Sequence, residues 1–298
     1  LYQQCLFAKN LLHQTKLPIT QVALASGFDS VRRFNDCFKA QLKLTPSMMR
    51  KSGGDQANTL DLKIYFRPPY DWSFVQGILA GRAVSGLEWC DEESYGRTFR
   101  WQSSTGKFTA THNTDNNMFE LKIELDEVKY LKSIVNNVRR ILDLDVDIGA
   151  VEKDLQLCLP GDFSFRSGVR MPGIWSMFEA GVRAILGQQI SVTAARNLVS
   201  ILVEQLGDTD DEFCFFPSPE SVAASELDFL KIPSSRKQTL RNLAQHYITH
   251  ESPDDPVNWL KLKGVGPWTV DYAQLRGLSD PDVFLAGDLG VKKSLENI

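Results

Sequence analysis

Three groups of residues late in the chain have types and spacings that could do chemistry. Lys263-Gly264-Val265-Gly266 forms a Gly-x-Gly turn inside VNWLKLKGVGPWTVDYAQLRGL, residues 257–278. A short helix leads into it. Pro267, favoured in a first helical turn, opens the next helix, which the pattern carries to Gly277. Glycines let a backbone approach a phosphate closely, and the N–H groups that follow can bind it without any side-chain charge. A tight helix-to-helix turn with no ligand reads the same way. Trp268 and Tyr272 stand at i,i+4, on one face of the second helix. Two ordinary core aromatics would do so too. Asp288 closes Phe284-Leu285-Ala286-Gly287-Asp288, 22 residues beyond Gly266. An Asp after a loop is also an ordinary helix cap.

No metal set accompanies these groups. The five cysteines, Cys5, Cys37, Cys90, Cys158 and Cys214, are far apart, odd in number and without C-x-x-C. They read as buried free thiols of a reducing cytoplasm. Of the four histidines only His246 and His250 share helical spacing, with no H-E-x-x-H around them, and they read as a surface pair.

The elements that must position the three groups fall into three segments. Residues 151–298 are helical in pattern, broken at Pro160-Gly161, Pro172-Gly173, Pro217–Pro219 and Pro253–Pro256. The strongest helices there are Trp175–Leu186 and Ser191–Leu206, with Ala194-Ala195 allowing close packing. Residues 60–150 alternate at strand period over Leu60–Phe66 and over Phe119–Leu125, with strands expected at about Gly96–Gln102, Lys107–Thr111 and Met118–Leu125. Helices are expected at Trp72–Arg82, with Phe74, Ile78 and Leu79 inward, and at Glu127–Leu142. The order β-α-β-β-β-α implies an antiparallel sheet covered by helices on one face, an α+β domain.

Residues 1–51 read as three helices. The first is Leu1–His13. Pro18 and Thr20 punctuate and cap a second with Ile19, Val22, Ala23 and Ala25 as its apolar face. Gly27-Phe28 supplies a turn. Ser30 caps a third, with Val31, Phe34, Cys37 and Phe38 inward and Arg32, Arg33, Asn35 and Lys39 outward. This describes a helix-turn-helix whose second helix can enter a major groove. Arg suits guanine and Asn suits adenine by bidentate geometry. A small bundle with a solvated basic face has the same spacing.

Composition limits the choices. The chain has 298 residues and a formal charge of −4, with 43% hydrophobic and 23% charged residues. That is an ordinary globular balance with room for two or three domains. No apolar run approaches the roughly 20 residues of a membrane span. The charge is uneven: +6 over residues 1–51, −1 over the Gly-, Ser- and Asn-rich linker SGGDQANT at 52–59, −3 over 60–150 and −6 over 151–298. A basic head of this kind suits a polyanion.

Residues 19–50 resemble the second helix-turn-helix of AraC-type regulators, through Ala23, Gly27, Phe28, Phe34, Phe38, Thr45, Pro46 and Arg50, with Met49 where that family has Tyr. The resemblance implies DNA contacts from Ser30, Arg32, Arg33 and Asn35. Residues 1–13 look like the helix that joins the family's two motifs, so the chain is expected to start inside that domain.

Residues 60–298 resemble the helix-hairpin-helix DNA glycosylases of the bacterial 3-methyladenine DNA glycosylase II type. The resemblance is carried by Pro69-Tyr70-Asp71-Trp72-Ser73, by AGVRAILGQQIS at 180–191, by the hairpin with its flanks, and by DVFLAGDLGVKK at 282–293. The implied fold class is mixed: a small all-α helix-turn-helix head, an α+β TATA-binding-protein-like antiparallel domain, and an all-α helix-hairpin-helix glycosylase domain. The implied activity is monofunctional hydrolysis of the N-glycosidic bond of 3- and 7-methylpurines in double-stranded DNA after base flipping.

By the same resemblance Asp288 is the catalytic carboxylate, stabilising positive charge on the sugar. Trp268, Tyr272 and Gln188 line the base pocket. Gln189 is the intercalating wedge, where the family often has an apolar side chain. Gly264, Val265, Gly266 and Thr269 hold phosphate. Bifunctional relatives carry Lys in the slot of Trp268, which implies that this chain cannot form a Schiff base. No cofactor is required. A Na+ or K+ ion at the carbonyls of Leu260, Leu262 and Val265 follows from family analogy.

The expected partners are damaged double-stranded DNA and a promoter site, bound by a monomer with no membrane, in the bacterial cytoplasm at the nucleoid. Ala286 and Gly287 replace a Pro and a second Asp of close family members. Ile78 stands at an aromatic position, and a further pocket aromatic and more helices are expected beyond residue 298. The rival reading is a regulator whose glycosylase fold is a degenerate damage sensor. A third is a purely structural fusion.

Overall fold

The computed structural model describes residues 1–50, 59–159, 164–210 and 213–295. Apart from Thr59, the expected linker at 52–59 lies outside the described residues. In chain order the helices and strands are α1 Tyr2–Gln14, α2 Ile19–Ala25, α3 Val31–Leu42, α4 Pro46–Met49, β1 Thr59–Tyr65, α5 Trp72–Ala80, β2 Glu88–Cys90, β3 Ser94–Trp101, β4 Ser104–Asn113 and β5 Met118–Leu125. They continue as α6 Leu131–Ile141, α7 Ile148–Cys158, α8 Met177–Gly187, α9 Val192–Leu206, β6 Thr209–Asp210, β7 Phe213–Cys214, α10 Pro219–Ala224, α11 Ser234–Thr249, α12 Pro256–Trp259, α13 Pro267–Ala273 and α14 Leu289–Leu295. No helix among the described residues is long and apolar enough to cross a membrane.

The chain forms two compact units. Leu1–Pro69, Asp91–Arg139 and Leu144–Gly161 make one; Tyr70–Cys90, Arg140–Asp143 and Asp162–Ile298 make the other. These do not follow the borders expected at 51 and 150. Residues 70–90 join the helical unit because their partners are there: Arg183 of α8 donates to the Arg82 carbonyl at 3.1 Å and pairs with Glu88 at 2.7 Å, and the Cys214 amide donates to the Gly86 carbonyl at 2.9 Å.

In the first unit the head forms around Phe34 and Phe38, both fully buried on α3, with Phe28 5.2 Å from Phe34. Gly27 makes the turn at φ +79, a region open to glycine, and its carbonyl accepts from the Gln4 side-chain Nε2 at 2.7 Å. Ser30 caps α3 as expected, accepting from the Arg33 amide at 3.2 Å. Thr20 does not cap α2. It lies within that helix, whose N-cap is Pro18. Strands β1, β5, β4 and β3 lie side by side in that order, all antiparallel. Leu60, Leu62 and Ile64 stand opposite Ile123, Leu121 and Phe119 on the buried face, while Asp61 faces Lys122 and Lys63 faces Glu120 on the other. Strand period thus separated core from solvent correctly. The expected helix at 127–142 divides into a 3-10 turn, Val128–Tyr130, and α6.

The second unit is built around α8, nearly all of whose residues are buried. Gly181 permits this, since a Cβ there would stand 2.7 Å from the ring of Trp259. Arg183, half-buried, is one of the two charged residues of this helix. Its guanidinium pairs with Glu179 at 2.8 Å and Glu88 at 2.7 Å, with both carboxylates almost wholly buried. The buried face of α5 is Trp72, Val75 and Leu79, not Phe74 and Ile78 with Leu79. Asp71 starts that helix, accepting from the Phe74 amide at 3.0 Å and pairing with Arg166. The short strands β2, β6 and β7 have no signature in the apolar pattern.

At the end of α11, His246 is 3% exposed and its ring lies 3.9 Å from that of His250. Burial first, then the neighbouring His250, holds its pKa below the usual histidine value. His246 is therefore buried, not the surface residue expected, while His250 is exposed.

Two predictions follow from this packing. Arg183→Leu removes the guanidinium from two buried carboxylates and should cost about 3–5 kcal/mol in urea denaturation. For His246, both folded and unfolded chains are neutral above about pH 6.5; below it the unfolded chain takes up the proton first, so stability falls as pH falls. The urea midpoint should drop between pH 7.5 and 5.5, and His246→Phe should flatten that drop.

Candidate functional site

The second unit holds a cleft of about 920 Å³. One wall is the loop between α8 and α9, another is the turn between α12 and α13, and the third is the segment entering α14. The residues singled out near the end of the chain converge on it: Gly264, Gly266, Trp268, Thr269, Tyr272 and Asp288 all line it, with Gln188 and Gln189 opposite in sequence.

The turn is fixed by steric demand. Asp255 caps α12 by accepting from the Val257 amide at 3.1 Å, and Pro267 occupies the first turn of α13. Between them Gly264 sits at φ +92, and a Cβ there would stand 2.0 Å from the Thr239 hydroxyl oxygen. That hydroxyl, on α11, shares its one hydrogen between the Ser235 carbonyl at 3.0 Å and the Lys263 carbonyl at 3.1 Å, and so ties the turn to α11. At Gly266 the position of a Cβ is open space. The Val265 amide donates to the Leu262 carbonyl at 3.1 Å and the Thr269 amide to the Gly266 carbonyl at 3.0 Å. Among the described residues the amides of Gly264 and Gly266 have no acceptor within the chain. Of the four expected phosphate contacts, the two glycines are thus the ones with a free backbone amide, and Thr269 keeps its hydroxyl hydrogen.

Trp268 and Tyr272 lie one helical turn apart, ring centroids 5.4 Å and 31° between planes. Both are half-buried, with part of each ring left toward the cleft. The guanidinium of buried Arg276 lies 5.9 Å from the Tyr272 ring. Asp288 is held by three N–H groups. Its Oδ1 accepts from the amides of Gly290 at 2.8 Å and Val291 at 3.2 Å, and its Oδ2 accepts from the Trp268 indole Nε1 at 3.2 Å. It is therefore a helix cap and a cleft residue at once. A carboxylate accepts only, so these donors fix its plane without consuming its charge.

On the opposite side α8 ends at Gln188. Its side-chain nitrogen donates to the Gly264 carbonyl at 3.3 Å and to the Thr269 hydroxyl at 3.1 Å. Gln189 follows at φ +60, the exposed tip of the loop, and Ser191 starts α9 by accepting from the Ala194 amide at 3.2 Å. Arg82, Arg183 and Arg196 also line the cleft. Sequence reasoning missed them. Arg183 reads as a surface residue of an amphipathic helix until Glu88, 95 residues away, is brought beside it. Ile78 is half-buried on α5 and is not in the lining; Arg82, one turn on, is. Among the described residues no lysine lines the cleft, and no group of three or more His, Cys, Asp or Glu could hold a metal.

The head, in the first unit, exposes Arg32, Arg33 and Asn35 on α3. Arg33 lies 3.8 Å from Asp29, both well exposed, a contact of little energy that a phosphate or base could replace. Ser30 uses its oxygen as the cap and keeps its hydroxyl hydrogen to donate.

Residues 61–176 match the family model described as the AlkA N-terminal domain, and residues 3–52 match a helix-turn-helix domain. A Mycobacterium tuberculosis protein named "Probable bifunctional transcriptional activator/DNA repair enzyme AlkA" is 32% identical over 98% of this chain. This chain spans 63% of that relative's length. The DNA-3-methyladenine glycosylase 2 of Escherichia coli is 31% identical over 76% of this chain and 84% of its own. A 3-methyladenine DNA-glycosylase structure from Archaeoglobus fulgidus shares the fold, with a TM-score of 0.65 at 17% identity over 79% of this chain and 85% of that one. With the AlkA amino-terminal domain matched and most of the Escherichia coli enzyme's length covered at 31% identity, the chain belongs to the DNA-3-methyladenine glycosylase 2 family, preceded by a helix-turn-helix domain.

Proposed function

We propose that the second unit hydrolyses the N-glycosidic bond of 3- and 7-methylpurines in double-stranded DNA and leaves an abasic site. The observation that carries this is Asp288, held by three N–H groups beside Trp268 and Tyr272 in a cleft whose described lining has no lysine. A 3- or 7-methylated purine is cationic, so it leaves as a neutral base without a general acid. Its positive charge favours aromatic faces, worth about 0.5–2 kcal/mol per contact. As the bond breaks, positive charge passes to the sugar, and the Asp288 carboxylate stabilises it. Water then adds its oxygen to the anomeric carbon and releases a proton. With Trp268 in place of an amine no Schiff base forms, and the strand stays intact.

The base reaches the cleft by leaving the stack, and Gln189 at the loop tip enters the vacated space. The Gly264 and Gly266 amides bind a flanking phosphate. The carbonyl of Leu262 already accepts from Val265 and keeps a second lone pair, so a Na+ or K+ ion shared with the carbonyls of Leu260 and Val265 fits beside that phosphate. No step depends on it. The head reads a promoter site through Arg32, Arg33 and Asn35, with Ser30 at the backbone. The protein works as a monomer on bacterial nucleoid DNA.

Asp288→Asn can keep the cap through Oδ1 but removes the charge and the acceptor that faces the Trp268 indole. Release of 3-methyladenine from methylated duplex should fall about 100-fold or more while DNA binding is retained. Retained release would overturn the role of Asp288. Damage-specific binding without release by the unaltered chain would favour the sensor reading. Gly264→Ala forces a Cβ against Thr239 and should cost about 2 kcal/mol or more in thermal unfolding. In fluorescence anisotropy it should weaken binding of an undamaged duplex about tenfold, or 1.4 kcal/mol.

A further inference from the structure

The loop after α8 and the α12–α13 turn are brought together by one side chain. Gln188 closes α8, and its amide nitrogen spends both hydrogens across the gap, one on the Gly264 carbonyl at 3.3 Å and one on the Thr269 hydroxyl at 3.1 Å. Both acceptors belong to the closely packed turn. Gly264 admits no Cβ and is pinned through the adjoining Lys263 carbonyl by Thr239, while Thr269 is 2% exposed. The residue after Gln188 is the loop tip at φ +60. The turn is therefore held from α11 on one side and from the end of α8 on the other.

The geometry points to Gln188 as a positioning residue that sets the distance between the loop tip and the phosphate-binding turn. This rests on the glycosylase reading. A flipped nucleotide is held by its flanking phosphate while the tip fills the space it left, and the two must match the spacing of one DNA strand. A misplacement of about 1 Å can cost about 100-fold in rate without any lost contact to the reacting atoms. The competing role for Gln188 is a contact to the base itself. The two roles differ in what they change. A brace scales the release of every lesion by one factor, whereas a base contact alters the ratio between lesions.

The test uses the full chain, with Gln188→Ala, Gln188→Glu, Thr269→Val and the Gln188→Ala/Thr269→Val pair. Release of 3-methyladenine and 7-methylguanine from methylated duplex gives kcat and KM, and 2-aminopurine fluorescence beside an abasic-site analogue reports flipping. For Gln188→Ala, kcat should fall about 10–100-fold for both lesions alike, with KM within about twofold and flipping reduced in step. Gln188→Glu, which can still accept from the Thr269 hydroxyl but cannot donate to Gly264, should lie between. The double variant should be no worse than Gln188→Ala, because both remove one brace. A lesion ratio altered more than about fivefold, a rise in KM alone, or unchanged kcat and flipping each overturns the inference. An unaltered chain that releases no base overturns the glycosylase reading instead, and flipping by the same variants still decides the brace. If Gln188→Ala fails to fold, Gln188→Glu and Thr269→Val carry the same comparison.

Discussion

Helix α8 is enclosed on nearly every side, and the rest of the second unit depends on that enclosure. A helix buried all round must be apolar or must neutralise what is not. Arg183 and Glu179 meet the second condition with Glu88, and Gly181 meets the steric one against Trp259. Because α8 cannot shift, its last residue can act as a fixed point. Gln188 extends that rigidity to the turn, and α11 adds a second anchor through Thr239. Two of the cleft's walls, the end of α8 and the α12–α13 turn, are thus tied to elements packed in the core.

The chemistry placed on this frame asks little of the protein. A cationic leaving base needs no acid, so a single oriented carboxylate and two aromatic faces suffice for the proposed step. Asp288 serves as a cap and as a charge beside the cleft with the same two oxygens. In the proposed reading an acidic region still holds DNA because the backbone amides of two glycines meet the phosphate, with Arg82 and Arg196 also in the cleft lining. Binding by the cleft should accordingly be modest and weakly salt-dependent compared with that of a Lys/Arg-rich surface.

Much of this was legible in the residues. Alternation at period two placed β1 and β5 and their buried faces, because one face of an antiparallel strand pair meets the core and the other meets water, whereas β3 is buried on both faces. Gly27, Ser30, Phe34 and Phe38 specified the head through turn geometry, capping and helical spacing, all local effects. Gly264, Gly266 and Pro267 marked the turn for the same reason. The face of α5 was misread because Trp72 and Val75, not Phe74 and Ile78, meet the core; every one of the four is apolar, so spacing could not choose.

The sequence by itself determined what local physics can determine: where helices start and stop, which strand face is apolar, where only glycine fits, and which residue types could bear charge or stack. Its resemblance to known families supplied the roles. Only the tertiary structure decided the pairings. Arg183 with Glu88, Gln188 with Gly264 and Thr269, Thr239 with Lys263, and Trp268 with Asp288 join residues 20 to 95 positions apart. Such contacts form when packing brings distant elements within hydrogen-bond reach, and no periodicity along one chain encodes that distance.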